Sequence, residues 1–181
     1  MHTNIFFRQK DAMDCGPSCL AMIVKFYGLQ PNIEVIRHTC ALSREGVSLL
    51  GISKAAESIG FKTISGRLSF NTLVTEAPLP CIVHWNQNHF IVVHKIKKIK
   101  KRQYADPARG MVSYNREEFC EHWVSTKTNG EEKGIVLLLE PTEQLYSQQN
   151  QDVISIKSRV GFLWKYIKTY KNFFTQLILG L

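Results

Sequence analysis

The spacing of apolar residues changes from a helical to a strand-like pattern about halfway along the chain. Before Pro78, apolar residues recur every three or four positions, which predicts helices over residues 16–27, 32–39 and 48–59. Beyond Pro78, β-branched and aromatic runs predict strands at 81–85, at 89–93, up to Tyr104 and at 134–139, with a short helix at 115–123. Helices followed by strands indicate an α+β fold, with N-terminal helices followed by an antiparallel sheet.

The length of 181 residues suits one domain with a sizeable core and an appendage. Hydrophobic residues make up 44% and charged residues 21%, a balance that argues against wholesale disorder. We expect the folded body at residues 1–141, a polar and glutamine-rich linker at 142–152, and an aromatic, apolar segment with lysines at 153–181.

The net charge of +8 comes from two short segments. Six basic residues lie between Lys95 and Arg102, and five lie in residues 153–181, with no acidic residue in either segment. The rest of the chain has 12 basic against 15 acidic residues, so it is slightly acidic. The first segment lies between two predicted strands and has no interleaved aromatic residues for base stacking. It therefore indicates a solvated hairpin, and we expect no nucleic-acid partner.

The five cysteines are an odd set, and the N-terminus has no signal-peptide pattern. Both features predict a reducing compartment with free thiols. The cysteines are scattered and contain no CxxC pair, so we expect no metal site.

Cys15 comes at the start of the first predicted helix, which has Pro17 in its first turn and Gly28 at its end. Unpaired N–H groups and the helix dipole favour negative charge at a helix N-terminus, which makes Cys15 a candidate nucleophile. Cys19, one turn later, is interpreted as a core cysteine. Asp11 and Asp14 are interpreted as acids that stabilise the helix start, without a catalytic role.

Thiol catalysis also needs a histidine, a group that orients the histidine and a donor for the oxyanion. Gln9, His89 and Asp106 are candidates for these roles. Among the competing histidines, His94 is five residues from His89, so strand alternation places it on the opposite face. Strand parity alone leaves His84 as an alternative.

Three segments carry a resemblance to a known family: Gln9-Lys10-Asp11-Ala12-Met13-Asp14-Cys15-Gly16-Pro17-Ser18-Cys19-Leu20, Asn88-His89-Phe90-Ile91-Val92-Val93 and Ala105-Asp106-Pro107-Ala108. Together they resemble the peptidase domain of bacteriocin-processing, peptidase-containing ABC transporters, over about residues 1 to 141. The resemblance implies a papain-like cysteine endopeptidase that removes double-glycine leader peptides before export. It also implies that Cys15 is the nucleophile, His89 the general base, Asp106 the residue that orients His89, and Gln9 the oxyanion donor.

The same resemblance implies partners outside this sequence. These are the transmembrane and nucleotide-binding domains of an ABC transporter, homodimeric at full length, in a bacterial cell membrane with the peptidase on the cytoplasmic side. ATP is implied only for that nucleotide-binding domain, since this sequence has no GxxxxGK loop. No cofactor is implied for the peptidase itself.

Residues 153–181 are expected to form a juxtamembrane segment that contacts the membrane surface. Lysines interleave with aromatic residues from Phe162 to Tyr170, which suits an interfacial helix, and the apolar end at 172–181 is only ten residues long, too short to span a bilayer. The alternative is an amphipathic helix packed on the peptidase.

Two other functions remain open at the level of sequence. One is a non-catalytic docking domain that binds leader peptides, against which the presence of Cys15 argues. The other is a papain-like peptidase or amidase of different specificity, because a catalytic triad specifies acyl transfer without specifying the acyl group.

Overall fold

The computed structural model describes residues 5–40, 46–96, 102–128 and 130–147. A short 3-10 helix, Ala12–Asp14, leads directly into α1, Cys15–Phe26. The helices α2, Ile33–Thr39, and α3, Leu49–Ser58, follow. Their N-terminal caps are Asn32 and Ser48, whose side chains accept hydrogen bonds from the backbone N–H groups of Val35 and Gly51. The three helices predicted from the sequence are therefore confirmed.

The sheet has seven antiparallel strands, in the order β1-β7-β2-β3-β4-β5 with β6 paired to β7. The strands are β1, Phe61–Ser69; β2, Cys81–Trp85; β3, His89–Ile96; β4, Arg102–Asp106; β5, Gly110–Tyr114; β6, Val124–Thr128; and β7, Glu131–Pro141. Two further short helices are α4, Phe70–Thr75, and α5, Arg116–Trp123. The predicted helix at 115–123 is α5, and its cap is a capping box between Asn115 and Glu118.

The sequence prediction missed β1, α4, β5 and β6. Strand β1 lies at the edge of the sheet and is buried only at Phe61, while its middle residues are mostly polar and exposed. It therefore shows neither a buried run nor a clear alternation of polar and apolar residues. The half of the chain predicted to be helical thus also contributes a strand to the sheet.

The central strands β2 and β3 are buried on both faces of the sheet. On one face, α1 and α3 pack over Ile82, Phe90 and Leu137. On the other face, Trp85 and Tyr104 form an aromatic cluster with Phe119 and Trp123 of α5. The sheet is therefore held from both sides, and α1 lies directly against β3.

The folded body continues beyond the last strand. Thr142 donates hydrogen bonds from its backbone N–H and its hydroxyl to the carbonyl of Gly60, at 3.0 and 2.6 Å. Residues 143–147 are helical, and Leu145 is buried in the α1 core. Gly60 has a φ of +100°, and a Cβ there would meet the backbone of Leu145. The first residues of the segment predicted as a polar linker thus pack against the body.

The predicted segment at 153–181 lies outside the described residues. Within the residues that the structure describes, no helix has the length and apolar character needed to cross a bilayer.

Candidate active site

Cys15 is the first residue of α1, and its side chain lies close enough to the ring of His89 to help raise the pKa of that ring, against the effect of burial. The contact forms because the N-terminal half of α1 packs against β3, which begins at His89. Cys15 is buried, with 6% of its surface exposed, and it forms no disulfide. The structure therefore brings the helix-start thiol to the histidine that the sequence favoured.

Asp106 lies on the other side of His89. It is the last residue of β4, and because β3 and β4 are antiparallel neighbours, the start of one lies beside the end of the other. Nε2 of His89 lies 2.9 Å from Oδ1 of Asp106, which also accepts a hydrogen bond from the backbone N–H of Ala108 at 2.8 Å. His89 thus lies between Cys15 and Asp106 and is hydrogen-bonded to Asp106.

The electrostatics of the site favour a charged imidazolium. Burial alone would lower the pKa of His89, but its hydrogen bonds to Asp106 and Cys15 and the charges of both groups raise that pKa to about 9. Burial would raise the pKa of Asp106, yet the hydrogen bonds from His89 and Ala108 lower it. His89 and Asp106 therefore form a charged pair beside the thiol of Cys15.

Gln9 lies beside the loop that follows Asp106. Its backbone N–H donates a hydrogen bond to the carbonyl of Pro107 at 3.1 Å, which ties the N-terminal segment to β4. Its side-chain Oε1 is buried and has no hydrogen-bond partner among the described residues. A buried side-chain amide oxygen without a partner is uncommon in a folded protein and calls for an explanation.

The competing histidines have different surroundings. His84 stacks on Phe90 with ring centroids 4.9 Å apart, and burial together with the charge of His89 lowers its pKa. His94 lies at an irregularity between β3 and β4, where burial and the charge of Lys95 lower its pKa. Of the three histidines, His89 is the one that interacts with both Cys15 and Asp106.

Cys19 lies in the core, as predicted. It is fully buried, and its thiol donates a hydrogen bond to the carbonyl of Phe90 at 3.2 Å. Burial, followed by the negative charges of Cys15 and Asp106, raises the pKa of Cys19 well above its ordinary value. The described residues contain no group of histidine, cysteine and acidic side chains that could hold a metal ion.

The sequence prediction missed Arg37 as part of this region. Asp11 caps the 3-10 helix, as expected of an acid at a helix start, because its side chain accepts a hydrogen bond from the backbone N–H of Met13 at 3.0 Å. Asp14 instead forms a bidentate ion pair with Arg37. The pair joins residues 23 positions apart, so no local pattern in the sequence marks it.

Comparison with protein families identifies the family of this chain. The model of the Peptidase C39 family matches residues 3–143. The chain belongs to this family. It is therefore a cysteine peptidase domain, as the resemblance in the sequence implied.

Curated relatives in this family are secretion and processing proteins. The chain is 30% identical over 168 residues to the colicin V secretion/processing ATP-binding protein CvaB of Escherichia coli, covering 92% of this chain and 22% of the relative. It is 34% identical over 120 residues to the lactococcin-G-processing and transport ATP-binding protein LagD of Lactococcus lactis, covering 64% of this chain and 17% of that protein. The chain thus spans about a fifth of the length of these relatives.

Two solved structures support the papain-like α+β fold. A double glycine motif protease from an AMS/PCAT transporter, in complex with the leader peptide, matches with a TM-score of 0.65 and 34% identity, covering 76% of this chain and 91% of that one. The peptidase domain of Streptococcus ComA, a bi-functional ABC transporter, matches with a TM-score of 0.64 and 27% identity, covering 78% of this chain and all of that one. The predicted fold class is confirmed.

Proposed function

We propose that this chain cleaves leader peptides of bacteriocins or related secreted peptides after a glycine pair, with Cys15 as the nucleophile. The observation that carries the proposal is the placement of His89 between Cys15, the first residue of α1, and Asp106, to which the ring is hydrogen-bonded at 2.9 Å. The leader specificity is supported by the relatives, whose names describe processing and transport, and by the double glycine motif protease of known structure.

The first chemical step is attack on the peptide. The Cys15 thiolate adds to the carbonyl carbon of the second glycine, and the carbonyl π electrons move to oxygen. The developing oxyanion accepts hydrogen bonds from the side-chain amide of Gln9 and from a backbone N–H group. Collapse breaks the C–N bond, and the His89 imidazolium gives its proton to the leaving amine, which releases the cargo peptide.

The second step frees the enzyme. A water molecule gives a proton to neutral His89 and attacks the thioester carbonyl, after which the Cys15 thiolate leaves and the leader departs as a carboxylic acid. Asp106 holds the ring of His89 in position and stabilises its charged form throughout. These side chains supply the nucleophile, the acid and the base, so we propose that cleavage needs no metal or organic cofactor.

In the whole protein we propose that the peptidase works beside a membrane. The curated relatives are ATP-binding transport proteins of about four times this chain's length. We therefore propose that transmembrane and nucleotide-binding domains are the partners of the peptidase and that the full-length protein is a homodimer. ATP would be used only by the nucleotide-binding domain. The lysine-rich segment at 153–181 would be the juxtamembrane connection, on the cytoplasmic side of a bacterial cell membrane.

The test is incubation of the 181-residue chain with synthetic leader peptides that carry a glycine pair, followed by mass spectrometry of the products. We expect a single cut after the second glycine in the wild type, also in the presence of a metal chelator, and none in Cys15→Ala. Binding of the leader without cleavage by the wild type would instead identify a docking domain. Cleavage at unrelated sequences would identify a peptidase of other specificity.

A further inference from the structure

The carboxylate of Asp14 is buried directly before the nucleophile. Asp14 is the N-cap residue of α1, and only 2% of its surface is exposed. An aspartate at this position usually accepts a hydrogen bond from a backbone N–H in the first helical turn. The side chain of Asp14 makes no such bond. A buried carboxylate is unfavourable without partners, so its oxygens must be satisfied elsewhere.

Arg37 satisfies both oxygens of Asp14. Its Nε donates to Oδ1 at 2.8 Å and its Nη2 donates to Oδ2 at 2.6 Å, a bidentate geometry that is among the strongest ion pairs in proteins. Arg37 comes from the last turn of α2, and its side chain is 25% exposed. The guanidinium thus holds Asp14 away from the capping position of α1.

This arrangement has two consequences for Cys15. First, the Asp14 carboxylate does not compete for the N–H groups of the first turn, whose partial positive charge favours a thiolate. Second, the charge of Asp14 is neutralised by Arg37 instead of repelling a thiolate on the adjacent residue. Without Arg37, the carboxylate would either cap α1 or remain a buried negative charge beside Cys15, and both outcomes disfavour the thiolate.

We infer that Arg37 is a positioning residue for the nucleophile: by binding Asp14 it keeps the N-terminus of α1 available to the Cys15 thiolate. The inference rests on the proposed role of Cys15. Arg37 does not touch the thiol, and it acts through Asp14.

Other charged groups also face this region. Cys15 interacts with His89 from β3, and the buried Cys19 lies within the fields of Cys15 and of Asp106 from β4. Around Arg37, the further acids are Asp11 and Glu34; Nη1 lies 3.6 Å from Oε1 of Glu34.

The contact with Glu34 is the weaker one. Glu34 has a side chain that is 69% exposed and a second partner in Lys10 at 3.9 Å, so its charge is screened by solvent. Asp14 is therefore the acid through which a change at Arg37 would reach the thiol.

The experiment measures the pH dependence of Cys15 alkylation by iodoacetamide, followed by mass spectrometry of the peptide that contains Cys15. It compares the wild type with Arg37→Gln, Asp14→Asn and the double variant Asp14→Asn/Arg37→Gln. The matched control is Lys133→Gln. Lys133 lies on β7, and its Nζ forms an ion pair with Oε2 of Glu131 at 3.1 Å. The control therefore removes the cation of an ion pair, as Arg37→Gln does.

We expect Arg37→Gln to move the midpoint of alkylation upward by about one pH unit, the usual effect of one uncompensated charge nearby. The double variant should return towards the wild-type midpoint, because both charges are then absent. Asp14→Asn alone should lower the midpoint, and Lys133→Gln should leave it unchanged. In Arg37→Gln, kcat for leader cleavage should fall by up to about tenfold below the shifted midpoint and recover as the pH is raised.

An unchanged midpoint in Arg37→Gln, or a raised midpoint that persists in the double variant, would overturn the inference. If Arg37→Gln does not fold, Asp14→Asn decides, because a midpoint that rises in that variant contradicts the charge argument. Failure of the proposed function is recognised separately. In that case the wild type would not cleave leaders after the glycine pair, or Cys15→Ala would still cleave them, whereas the alkylation curves need no substrate.

Discussion

Nε2 of His89 lies 2.9 Å from Oδ1 of Asp106, and the two residues occupy the facing ends of neighbouring antiparallel strands. The separation along the chain is 17 residues, but the pairing of β3 and β4 makes them neighbours. The His89 side chain is 20% exposed and that of Asp106 only 4%, so the pair is sheltered from water on the carboxylate side. Burial would lower the pKa of His89, but the hydrogen bond to Asp106 and the charge of that carboxylate help to raise it to about 9.

Asp106→Asn should narrow the pH range of activity. Hydrogen bonding to Asp106 and its charge help to raise the pKa of His89 to about 9, so removing the carboxylate lowers that pKa. Because the thiolate–imidazolium pair is lost when His89 loses its proton, the alkaline limb of kcat/KM should move to lower pH. A pH profile of leader cleavage measures the shift. An alkaline limb that stays in place would mean that a group other than His89 sets it.

Cys15→Ala and Cys19→Ala should separate catalysis from packing. Cys15→Ala should abolish cleavage and leave leader binding in place. Cys19→Ala should keep substantial activity and lose about 1 kcal/mol of unfolding free energy, because a fully buried thiol and its bond to Phe90 are removed. Cleavage rates and urea unfolding curves provide the measurements. Equal loss of activity in two folded variants would contradict the assignment of Cys15.

Gln9→Ala should reduce kcat by about two to three orders of magnitude, as expected for loss of one oxyanion donor. Binding of the leader should change less, since the donor acts mainly on the transition state. The backbone bond from Gln9 to Pro107 is independent of the side chain, so the fold should persist. Normal turnover in a folded variant would reduce Gln9 to a structural residue.

Two truncations whose end points differ by six residues should differ in the stability of the remaining domain. Truncation after Ser147 should leave a stable, active peptidase, because it keeps the buried Leu145 and the bonds of Thr142 to Gly60. Truncation after Pro141 removes both and should lower the unfolding free energy by about 2 kcal/mol. Thermal unfolding and cleavage rates of the two fragments test this. Loss of activity in the longer fragment would mean that residues beyond 147 belong to the folded peptidase.

Local signals were sufficient for α1, α2, α3 and α5, but not for α4. The side chains of Asn32 and Ser48 mark helix starts by accepting hydrogen bonds from the backbone N–H groups three residues later. Such bonds depend only on neighbouring residues in the sequence. The edge strand β1 was missed because its stability comes from pairing with β7, about 70 residues later. Leu145 was missed because one apolar side chain among polar neighbours forms no periodic pattern.

The residues of the candidate site could likewise be predicted only in part from the sequence. The position of Cys15 at a helix start could be predicted from Gly16, Pro17 and the helical spacing that follows. The choice of His89 over His84 depended on a family resemblance in the sequence, and the structure adds the contacts with Cys15 and Asp106. Arg37 could not be predicted, since its ion pair with Asp14 arises only when α2 packs on α1.

Specificity for the glycine pair is the part of the proposal that is most directly measurable. A narrow passage to Cys15 would accept glycine at both positions before the cut, whereas a branched side chain would displace the scissile carbonyl from Gln9. A displacement of about 1 Å can reduce a rate by roughly a hundredfold. The measurement is a single-turnover time course with matched leader peptides that carry glycine, alanine or valine at either position, with products identified by mass spectrometry. We expect cleavage after the second glycine, slower cleavage with alanine and none with valine, while leader binding is retained. Comparable rates for the glycine and valine peptides would contradict the proposed double-glycine specificity.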